Sequence, residues 1–465
     1  CTKLEAIVIP KGVTEIASNS YINGSYKIDA NNGYLYLDGN TVVNGDVLIT
    51  RNGDKSVVKE GYLSIYGNLA NIKENSETKI INRGDDLARA GNGAIGRYAM
   101  EINGNINSAG KTLVENYQEI GYLVLTKNST LNTKDLAIIN ANAVNKGIDN
   151  GLYIQGKIKS TGDALIANKS GAGGLNIDGY LDLGKATFYN ESGILGCGGG
   201  SSIITSGKTM FIQKNNDATA FIQNVTNNST EDTIFTLLAD NYPEYPDSGA
   251  WFNIRNVRSN GNVLVENAGD SAIRLYDIDI KGDLSVQNHT YELDLKENEQ
   301  NKYNSEAFSL VRKRKDSMTN PRNATIAIFG DLRANNINIQ NADSDVINGI
   351  GISSTMLGDG VQVNAKVEAV NNVNFTNKSG KMDLSGLEIV GKNVTITNTN
   401  TADSMSLNKI SAENHALIEN AGKGSIILKN ELKAKDISIQ NQTYSIDTIQ
   451  KVENNIITLE IVRKN

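Results

Sequence analysis

The amino-acid sequence predicts an all-β protein, a right-handed parallel β-helix (β-solenoid) with about fifteen coils and protruding β-hairpins. Two observations lead to this fold class. A short phrase that ends in asparagine recurs along the chain, and apolar residues alternate with polar ones inside that phrase. A period of about 20 to 25 residues built on short strands is typical of a solenoid. Each repeat cannot bury its apolar side alone, so successive repeats must stack on one another.

The recurring phrase is most regular near the C-terminus, where it reads apolar-x-apolar-x-Asn. Its closing asparagines there are 21, 22 and 21 residues apart (398−377, 420−398, 441−420). Looser copies upstream end at Asn52, Asn82, Asn116, Asn140, Asn168, Asn190, Asn215, Asn267, Asn288 and Asn341. The longer intervals among these copies indicate coils with insertions, or pairs of coils whose middle asparagine is not recognisable in the sequence.

One regular unit, residues 394–418, shows how a coil is built. Val394 and Ile396 point inward and the residues between them point outward, because successive side chains of a strand face opposite sides. Two further short strands follow before the cycle restarts at Ala416, which predicts three strands per coil. Connections between parallel strands are right-handed in nearly all folds, so we expect a right-handed helix.

The closing asparagine has a physical reason at each coil. Asparagine tolerates a left-handed backbone, and its side chain forms hydrogen bonds within its own turn. Asparagines stacked one above another can also form a ladder of amide hydrogen bonds along the axis. We therefore expect a structural asparagine ladder, which is clearest at Asn377, Asn398, Asn420 and Asn441.

The composition agrees with many short strands joined by tight turns, since the chain has 44 glycines and only 4 prolines. The net charge of −7 arises from 45 basic and 52 acidic residues that are well mixed. Nucleic-acid binding needs a concentrated basic face, so no nucleic-acid partner is expected.

The two cysteines, Cys1 and Cys197, are too few for a disulfide framework. Either both are free thiols or Cys1 is lipid-modified. No apolar run is long enough to span a bilayer, so we expect no membrane insertion by this segment. The chain does not begin with Met and shows no secretory signal, and we interpret it as an excised or processed piece of a longer protein.

The solenoid pattern predicts the domain organisation. Residues 1–40 are expected to be an N-terminal cap or irregular first coils, and residues 41–441 the solenoid. Insertions near 233–259 and 289–323, and a third segment at 442–465, are expected to form β-hairpins. The last two begin with Thr-Tyr and end with Val-Arg-Lys, at offsets of 153 and 151 residues (443−290, 462−311). This correspondence indicates a long super-repeat.

Aromatic residues cluster in the first of these insertions. Tyr242, Tyr245, Trp251 and Phe252 lie together, and Trp251 is the only tryptophan of the chain. Exposed aromatic residues on a loop are good recognition anchors, which makes these four the candidate binding residues. The alternative is that they form the small core of the loop itself, packed on the solenoid wall.

No catalytic or metal-binding motif accompanies the repeats. The two histidines, His289 and His415, are 126 residues apart (415−289), and neither has a cysteine or carboxylate at the spacing of a zinc site. Asp85 and Asp86 lie near two arginines but are expected to form a solvated loop. We therefore expect no enzyme activity, no metal and no cofactor.

Two stretches of the chain, residues 261–288 and 392–422, resemble filamentous haemagglutinin-like and leukotoxin-like bacterial adhesins. The shared feature is the phrase apolar-x-apolar-x-Asn, a short turn and apolar-x-apolar, repeated at about 20 residues. The resemblance extends over 261–441 without the interval 289–330, is looser over 40–260, and is absent before residue 40. It implies a right-handed β-helix that a Gram-negative cell exports and displays outside its outer membrane. It also implies an outer-membrane secretion partner or barrel beyond this segment.

These observations predict a non-enzymatic segment of an exported surface adhesin or virulence factor, in which a rod presents binding loops to a host-cell receptor or glycan. Two alternatives remain open at this point. The segment could be a passive stalk for a toxin or tip domain. It could also be a polysaccharide lyase or hydrolase, because many such enzymes use parallel β-helices, although a fold alone does not confer an activity.

Overall fold

The structure is a computed structural model of the 465-residue chain. It describes the following residues: 15–17, 19–31, 33–53, 60–84, 87–90, 97–119, 121–141, 151–171, 173–214, 220–238, 251–269, 271–314, 325–342, 350–351, 364–399, 404–442, 445–453 and 456–464.

Two compact units make up the chain. The first unit consists of Cys1–Asn215 and Glu297–Phe308, and the second of Asn216–Lys296 and Ser309–Asn465. In the described part of both units, nearly all regular structure is β-strand and the strands of the main sheet pair mostly in parallel. The predicted all-β parallel β-helix is therefore confirmed.

The first unit contains eight coils among its described residues, closed by β3, β6, β9, β13, β16, β18, β20 and β23. Its strands are β1 Glu15–Ala17, β2 Ser20–Ile22, β3 Tyr26–Ala30, β4 Tyr34–Asp38, β5 Asn40–Val43, β6 Val47–Arg51, β7 Glu60–Ile65, β8 Asn68–Asn71, β9 Glu77–Asn82, β10 Leu87–Ala90, β11 Arg97–Ile102, β12 Asn105–Ser108, β13 Lys111–Asn116, β14 Tyr122–Leu125, β15 Thr130–Thr133, β16 Asp135–Asn140, β17 Leu152–Ile154, β18 Lys157–Asn168, β19 Leu175–Ile177, β20 Tyr180–Asn190, β21 Leu195–Cys197, β22 Ser202–Thr205 and β23 Thr209–Gln213.

The second unit also contains eight coils among its described residues, closed by β25, β27, β29, β34, β37, β38, β39 and β42. Its coil strands are β24 Ala220–Asn227, β25 Thr233–Leu237, β26 Trp251–Ser259, β27 Val263–Asn267, β28 Ala272–Ile280, β29 Leu284–Asn288, β32 Ile326–Ile328, β33 Leu332–Ala334, β34 Ile337–Asn341, β35 Ile350–Gly351, β36 Ala365–Ala369, β37 Asn372–Asn377, β38 Met382–Asn398, β39 Met405–Asn420, β40 Ile426–Leu428, β41 Leu432–Lys433 and β42 Asp436–Asn441.

Two further pairs of strands form small sheets apart from the coils. They are β30 Glu292–Glu297 with β31 Phe308–Lys313, between which lies a short 3-10 helix at Glu299–Asn301, and β43 Ser445–Glu453 with β44 Ile456–Lys464. The second pair is antiparallel. Among the described residues, no helix has the length and apolar character needed to cross a bilayer.

The core of each coil stack consists of columns of inward-pointing apolar side chains. In the first unit, Val114 lies in register with Ile80 on one side and Ile138 on the other, and all three are fully buried. In the second unit, Ile396 lies between Phe375 and Ile418 in the same way. Burial of apolar area is the main driving force for stacking, at about 25 cal/mol per Å².

Buried asparagines at the ends of the closing strands form ladders of hydrogen bonds in both units. In each rung the Nδ2 atom donates to the Oδ1 atom of the next coil. In the second unit the ladder runs through Asn267, Asn288, Asn341, Asn377, Asn398, Asn420 and Asn441, with distances of 2.7 to 3.1 Å. Because each buried amide is paired, the ladder avoids the cost of unsatisfied polar groups in an apolar core.

The ladder of the first unit begins and ends with other residues. Arg51 Nη1 donates to Asn82 Oδ1 at 2.8 Å, and Asn190 Nδ2 donates to Gln213 Oε1 at 2.8 Å. Arg51 and Gln213 also occupy the ladder register in the strand pairing. The upstream copies expected to close at Asn52 and Asn215 therefore close one and two residues earlier, because an arginine and a glutamine take the place of asparagine there.

The described residues bear on the expected segments as follows. For residues 1–40, expected to be a cap or irregular first coils, β2 and β3 pair in parallel with β5 and β6 as coil strands. At the two ends of the interval 233–259, β25 and β26 pair in parallel with β27 and β28 as coil strands, while residues 239–250 lie outside the described residues. The segment 442–465 does contain a hairpin, formed by β43 and β44. Within 289–323, residues 315–323 lie outside the described residues.

Candidate binding site

The four predicted binding residues have different positions. Tyr242 and Tyr245 lie outside the described residues. Phe252 is fully buried and lies in register with Ala220 and Ile273, so it is a core residue and not an exposed anchor. Alternation along β26 explains this, because Trp251 and Phe252 are neighbours and must face opposite sides of the sheet. Of the two described residues, Trp251 is partly exposed and remains a candidate for ligand contact.

Trp251 packs against an arginine of the next coil. The Cζ atom of Arg274 lies 3.3 Å from the centroid of the Trp251 ring, and Phe329 lies beyond it at 5.6 Å. Arg274 belongs to β28 and lies in register with Asn253 of β26 and Ala327 of β32. Three successive coils thus surround one outward-pointing guanidinium.

This guanidinium is buried without hydrogen-bond partners on one edge. Arg274 is 7% exposed, and its Nε and Nη2 atoms have no partner. The Nδ2 atom of Asn253, which is also 7% exposed, has none either. The hydroxyl of Thr325, two residues before Ala327, is the fourth unpaired polar group at this place. Unpaired buried donors are rare in folded proteins, and each one calls for an explanation.

The groups around Arg274 compensate its charge only in part, through Tyr276 and the ring faces of Trp251 and Phe329. Burial lowers the pKa of the guanidinium, and Tyr276 acts in the opposite direction. An arginine remains protonated at neutral pH even so. Among the described residues, no carboxylate lies within ion-pair distance of Arg274. The cluster of Trp251, Asn253, Arg274 and Thr325 therefore combines a positive charge with several unused donors.

Two other arginines of the second unit have the same edge occupied. Arg312 Nε and Nη2 donate to the two carboxylate oxygens of Glu266 at 2.8 and 2.9 Å. Glu266 is fully buried and also accepts hydrogen bonds from Thr236 and Tyr291, at 2.8 and 2.6 Å. This arrangement attaches β31 to the closing strands of two coils.

The second pair repeats this geometry. Arg463 Nε and Nη2 donate to Glu419 at 2.6 and 2.8 Å, and Thr397 donates to the same carboxylate at 3.0 Å. Glu419 is fully buried, whereas the Arg463 side chain is 42% exposed. The two glutamates are 153 residues apart (419−266) and the two arginines 151 (463−312). The super-repeat visible in the sequence is therefore a repeated ion pair, which sequence reasoning could have found by asking what the Val-Arg-Lys arginine contacts.

The hairpin of β43 and β44 lies against the coils of the second unit instead of protruding from them. The amide of Gln340 exchanges two hydrogen bonds with the backbone of Leu459, at 2.8 and 3.0 Å. Gln450 Nε2 donates to the carbonyl of Thr290 at 2.9 Å. Since Arg463 is also fixed by Glu419, the hairpin is held along its length. The expectation of protruding hairpins is corrected for this segment.

An open groove of about 800 Å³ lies on the first unit. It follows the strands β8, β12 and β15, whose residues Ala70, Asn107 and Asn132 lie in register and point outward. Its other lining residues are mainly polar: Asn71, Ile72, Glu74, Asn75, Ser108, Ala109, Thr133, Lys134, Lys159 and Thr161. Ligand sites of proteins typically have volumes of about 300 to 1,000 Å³.

Several polar groups in this groove are available to a ligand. Asn132 Nδ2 donates to Asn107 Oδ1 at 2.7 Å, which leaves Asn107 Nδ2 and Asn132 Oδ1 without a partner among the described residues. Lys134 is exposed, and Ile72 is 51% exposed beside it in the lining. The groove therefore combines amide donors and acceptors, the positive charges of Lys134 and Lys159, the negative charge of Glu74 and a lining surface that is mostly apolar.

The remaining candidate residues have structural surroundings or lie outside the described part. His289 is buried and its Nε2 lies 2.7 Å from the carbonyl oxygen of Gly269. His415 lies in register with Asn393 on one side and Asp436 on the other. Cys197 is buried and forms no disulfide, while Cys1, Asp85 and Asp86 are not described. Among the described residues, no group of three or more metal-ligating side chains is placed to hold an ion.

The chain was compared with protein-family models, with curated proteins and with solved structures, and none of these matches it. The function must therefore be argued from the geometry of its own surfaces.

Proposed function

We propose that this chain is a non-catalytic binding segment of an exported bacterial surface adhesin, and that the groove of the first unit receives a host glycan. The observation that supports this proposal is the row of outward-pointing Asn107 and Asn132, each with an unpaired amide atom, in a groove of about 800 Å³. The resemblance of the repeats to filamentous haemagglutinin-like adhesins supports the same class of function.

Chemistry favours a polyhydroxylated ligand. An amide offers a donor and an acceptor side by side, and a pair of sugar hydroxyls can use both. Parallel coils repeat about every 4.8 Å, so the groove presents similar polar groups at regular intervals to a chain-like ligand. Ile72, which is half exposed, supplies apolar contact for a sugar face. Stacked coils also hold the binding groups on rigid strands, which favours selective binding.

The proposed location is the outer surface of a Gram-negative cell, reached with the help of an outer-membrane secretion partner or barrel encoded outside this segment. Stepwise stacking suits such export, because each coil can form on the one before it as the chain emerges. Fractionation of a producing cell, followed by protease treatment of intact cells, tests this part of the proposal. A chain that stays protected from protease in intact cells would contradict it.

Glycan binding is tested by screening the whole chain against a glycan array and host cells. Asn132→Ala and Lys134→Ala should each weaken binding about tenfold, equivalent to about 1.4 kcal/mol. Lys281→Ala is the matched control, because this lysine is exposed on the second unit and lies outside the groove. It should bind like the unmodified chain.

The alternatives predict different outcomes. A passive stalk would bind no glycan and no cell, and that result would overturn the proposal. A polysaccharide lyase or hydrolase would turn over a uronate polymer in a soluble assay, and turnover would equally overturn it. Binding that persists unchanged in both groove variants would place the ligand elsewhere on the chain.

A further inference from the structure

We infer that Arg274 and Asn253 form a second binding site, in the second unit, which receives the carboxylate group of a small ligand. The site does not depend on the proposed glycan groove, which lies on the first unit. Three donor atoms carry the inference: Arg274 Nε, Arg274 Nη2 and Asn253 Nδ2, all buried and all without a partner.

The geometry of the arginine specifies the ligand group. Nε and Nη2 lie on one edge of the planar guanidinium and point in parallel, which matches the two oxygens of a carboxylate. The same chain uses this edge twice for that purpose, in Arg312 with Glu266 and in Arg463 with Glu419. We call these two pairs the closed forks and Arg274 the open fork. In the open fork, Nε and Nη2 face no carboxylate of the described residues.

The neighbours of Arg274 complete the receptor. Asn253 lies in register on the preceding strand, so its amide can donate to the same ligand as the guanidinium. Trp251 and Phe329 lie on either side and confine the guanidinium. Aromatic packing fixes the plane of the arginine before a ligand arrives, and such preorganisation lowers the entropic cost of binding.

An empty open fork is costly to the folded chain. A buried charge without a partner is strongly unfavourable, and a polar group in such a state marks a candidate functional site. A carboxylate would neutralise the charge and pair the donors. Its binding should therefore stabilise the folded chain, because a ligand that binds only the folded state raises its stability.

Trp251 supplies a direct readout. It is the only tryptophan of the chain, and its ring lies 3.3 Å from the guanidinium carbon. A carboxylate bound to Nε and Nη2 would lie in the plane of the guanidinium and would neutralise the charge on which the Trp251 ring stacks. Intrinsic fluorescence of the whole chain should consequently change when the site fills.

The test titrates the whole chain with sodium glucuronate, N-acetylneuraminate and acetate, with glucose and sodium chloride as neutral and ionic controls. We expect a saturable change in tryptophan fluorescence and a rise in unfolding temperature with carboxylates, and neither change with the controls. A response to acetate as well as to the acidic sugars shows that the carboxylate group alone is recognised. The ligand can then be a free organic acid. A response to the acidic sugars only identifies a sugar acid.

Variants separate this site from nonspecific ion effects. Arg274→Met should weaken carboxylate binding at least about tenfold, or about 1.4 kcal/mol. Arg274→Lys keeps the charge but loses the two parallel donors, and should be weakened as well. Arg258→Met is the matched control, since Arg258 is exposed on the neighbouring strand β26. The inference is overturned if no carboxylate gives a saturable response, or if Arg274→Met responds like the unmodified chain.

Discussion

Three arginines of the second unit differ at the edge formed by Nε and Nη2, because only two of them donate there to a carboxylate of the described residues. Arg312 and Arg463 each grip a fully buried glutamate through Nε and Nη2. Arg274 is 7% exposed, yet among the described residues no carboxylate lies opposite its Nε and Nη2 atoms. The closed forks fix the strands β31 and β44, which lie outside the coils. Among the described residues, the open fork fixes no such strand.

The comparison distinguishes arginines that stabilise the fold from an arginine that is available to a ligand. The difference is whether a carboxylate of the chain faces the guanidinium, not where the arginine lies. A buried arginine that meets a carboxylate within the chain is part of the fold. The same arginine without one is expected to lower the stability of the fold, and such a cost is typical of sites that bind a ligand. One substitution, arginine to methionine, preserves most of the side-chain length and removes the charge. It should therefore have opposite effects on the closed and the open forks.

The largest effect is expected for Arg312→Met. This change leaves the carboxylate of Glu266 fully buried without its charged partner, and breaking a buried ion pair in this way costs about 3 to 5 kcal/mol. Hydrogen exchange of the β31 amides measures the local loss, which suits a repeat protein that need not unfold in one step. The double variant Glu266→Gln/Arg312→Met should recover much of it. A loss below about 1 kcal/mol would show that Tyr291 and Thr236 alone satisfy the carboxylate.

A smaller loss is expected for Arg463→Met. Glu419 is just as buried as Glu266, but the Arg463 side chain is 42% exposed, so water already screens part of the interaction. We expect about 1.5 to 3 kcal/mol, the range of hydrogen bonds to charged groups. Hydrogen exchange of β44 and limited proteolysis between β42 and β43 measure it. A loss as large as that of Arg312→Met would mean that exposure of the arginine does not weaken the fork.

The same substitution at the open fork, Arg274→Met, should raise the stability of the chain instead of lowering it. Without ligand, Arg274→Met removes an unpaired buried charge and keeps the contact with Trp251, so the stability of the second unit should rise by about 1 kcal/mol or more. Chemical denaturation followed by Trp251 fluorescence measures the change directly. A marked destabilisation would show that the stacking of the guanidinium on Trp251 outweighs its lost hydrogen bonds.

Much of the coil architecture could be predicted from the sequence because it rests on local alternation. A phrase of five residues determines which side chains enter the core and where the closing asparagine lies. Arg51 and Gln213 were missed at the ends of one ladder because they replace asparagine in its own position. Their hydrogen bonds are nevertheless those of the amides they replace.

The candidate binding sites are harder to predict from the sequence, because their residues come together only when successive coils stack. Arg274 sits at an outward position of an alternating strand, which ordinarily means a solvated side chain. Its surroundings include Trp251 of β26 and Phe329, which directly follows β32; these residues are 23 and 55 residues away in sequence (274−251, 329−274). The expected exposure of Phe252 is wrong for a simpler reason. Trp251 and Phe252 are the first two residues of strand β26 and do not belong to a loop.

The smallest expected effect is a loss of stability of the Arg312–Glu266 ion pair at alkaline pH. Tyr291 donates to Glu266, and its pKa is raised well above 10.0, first by burial and then by the charge of Glu266. A group whose pKa is raised on folding contributes stability that is complete below its unfolded pKa and is lost as the pH rises above it. The stability of this fork should therefore be constant up to about pH 9 and fall by about 0.4 kcal/mol at pH 10, and further above that pH. Hydrogen exchange of β31 is too fast at this pH, so limited proteolysis at residues 309–314 is the suitable measurement. Tyr291→Phe should be less stable at neutral pH and should lack this additional decline, whereas an identical decline in both chains would assign it to other groups.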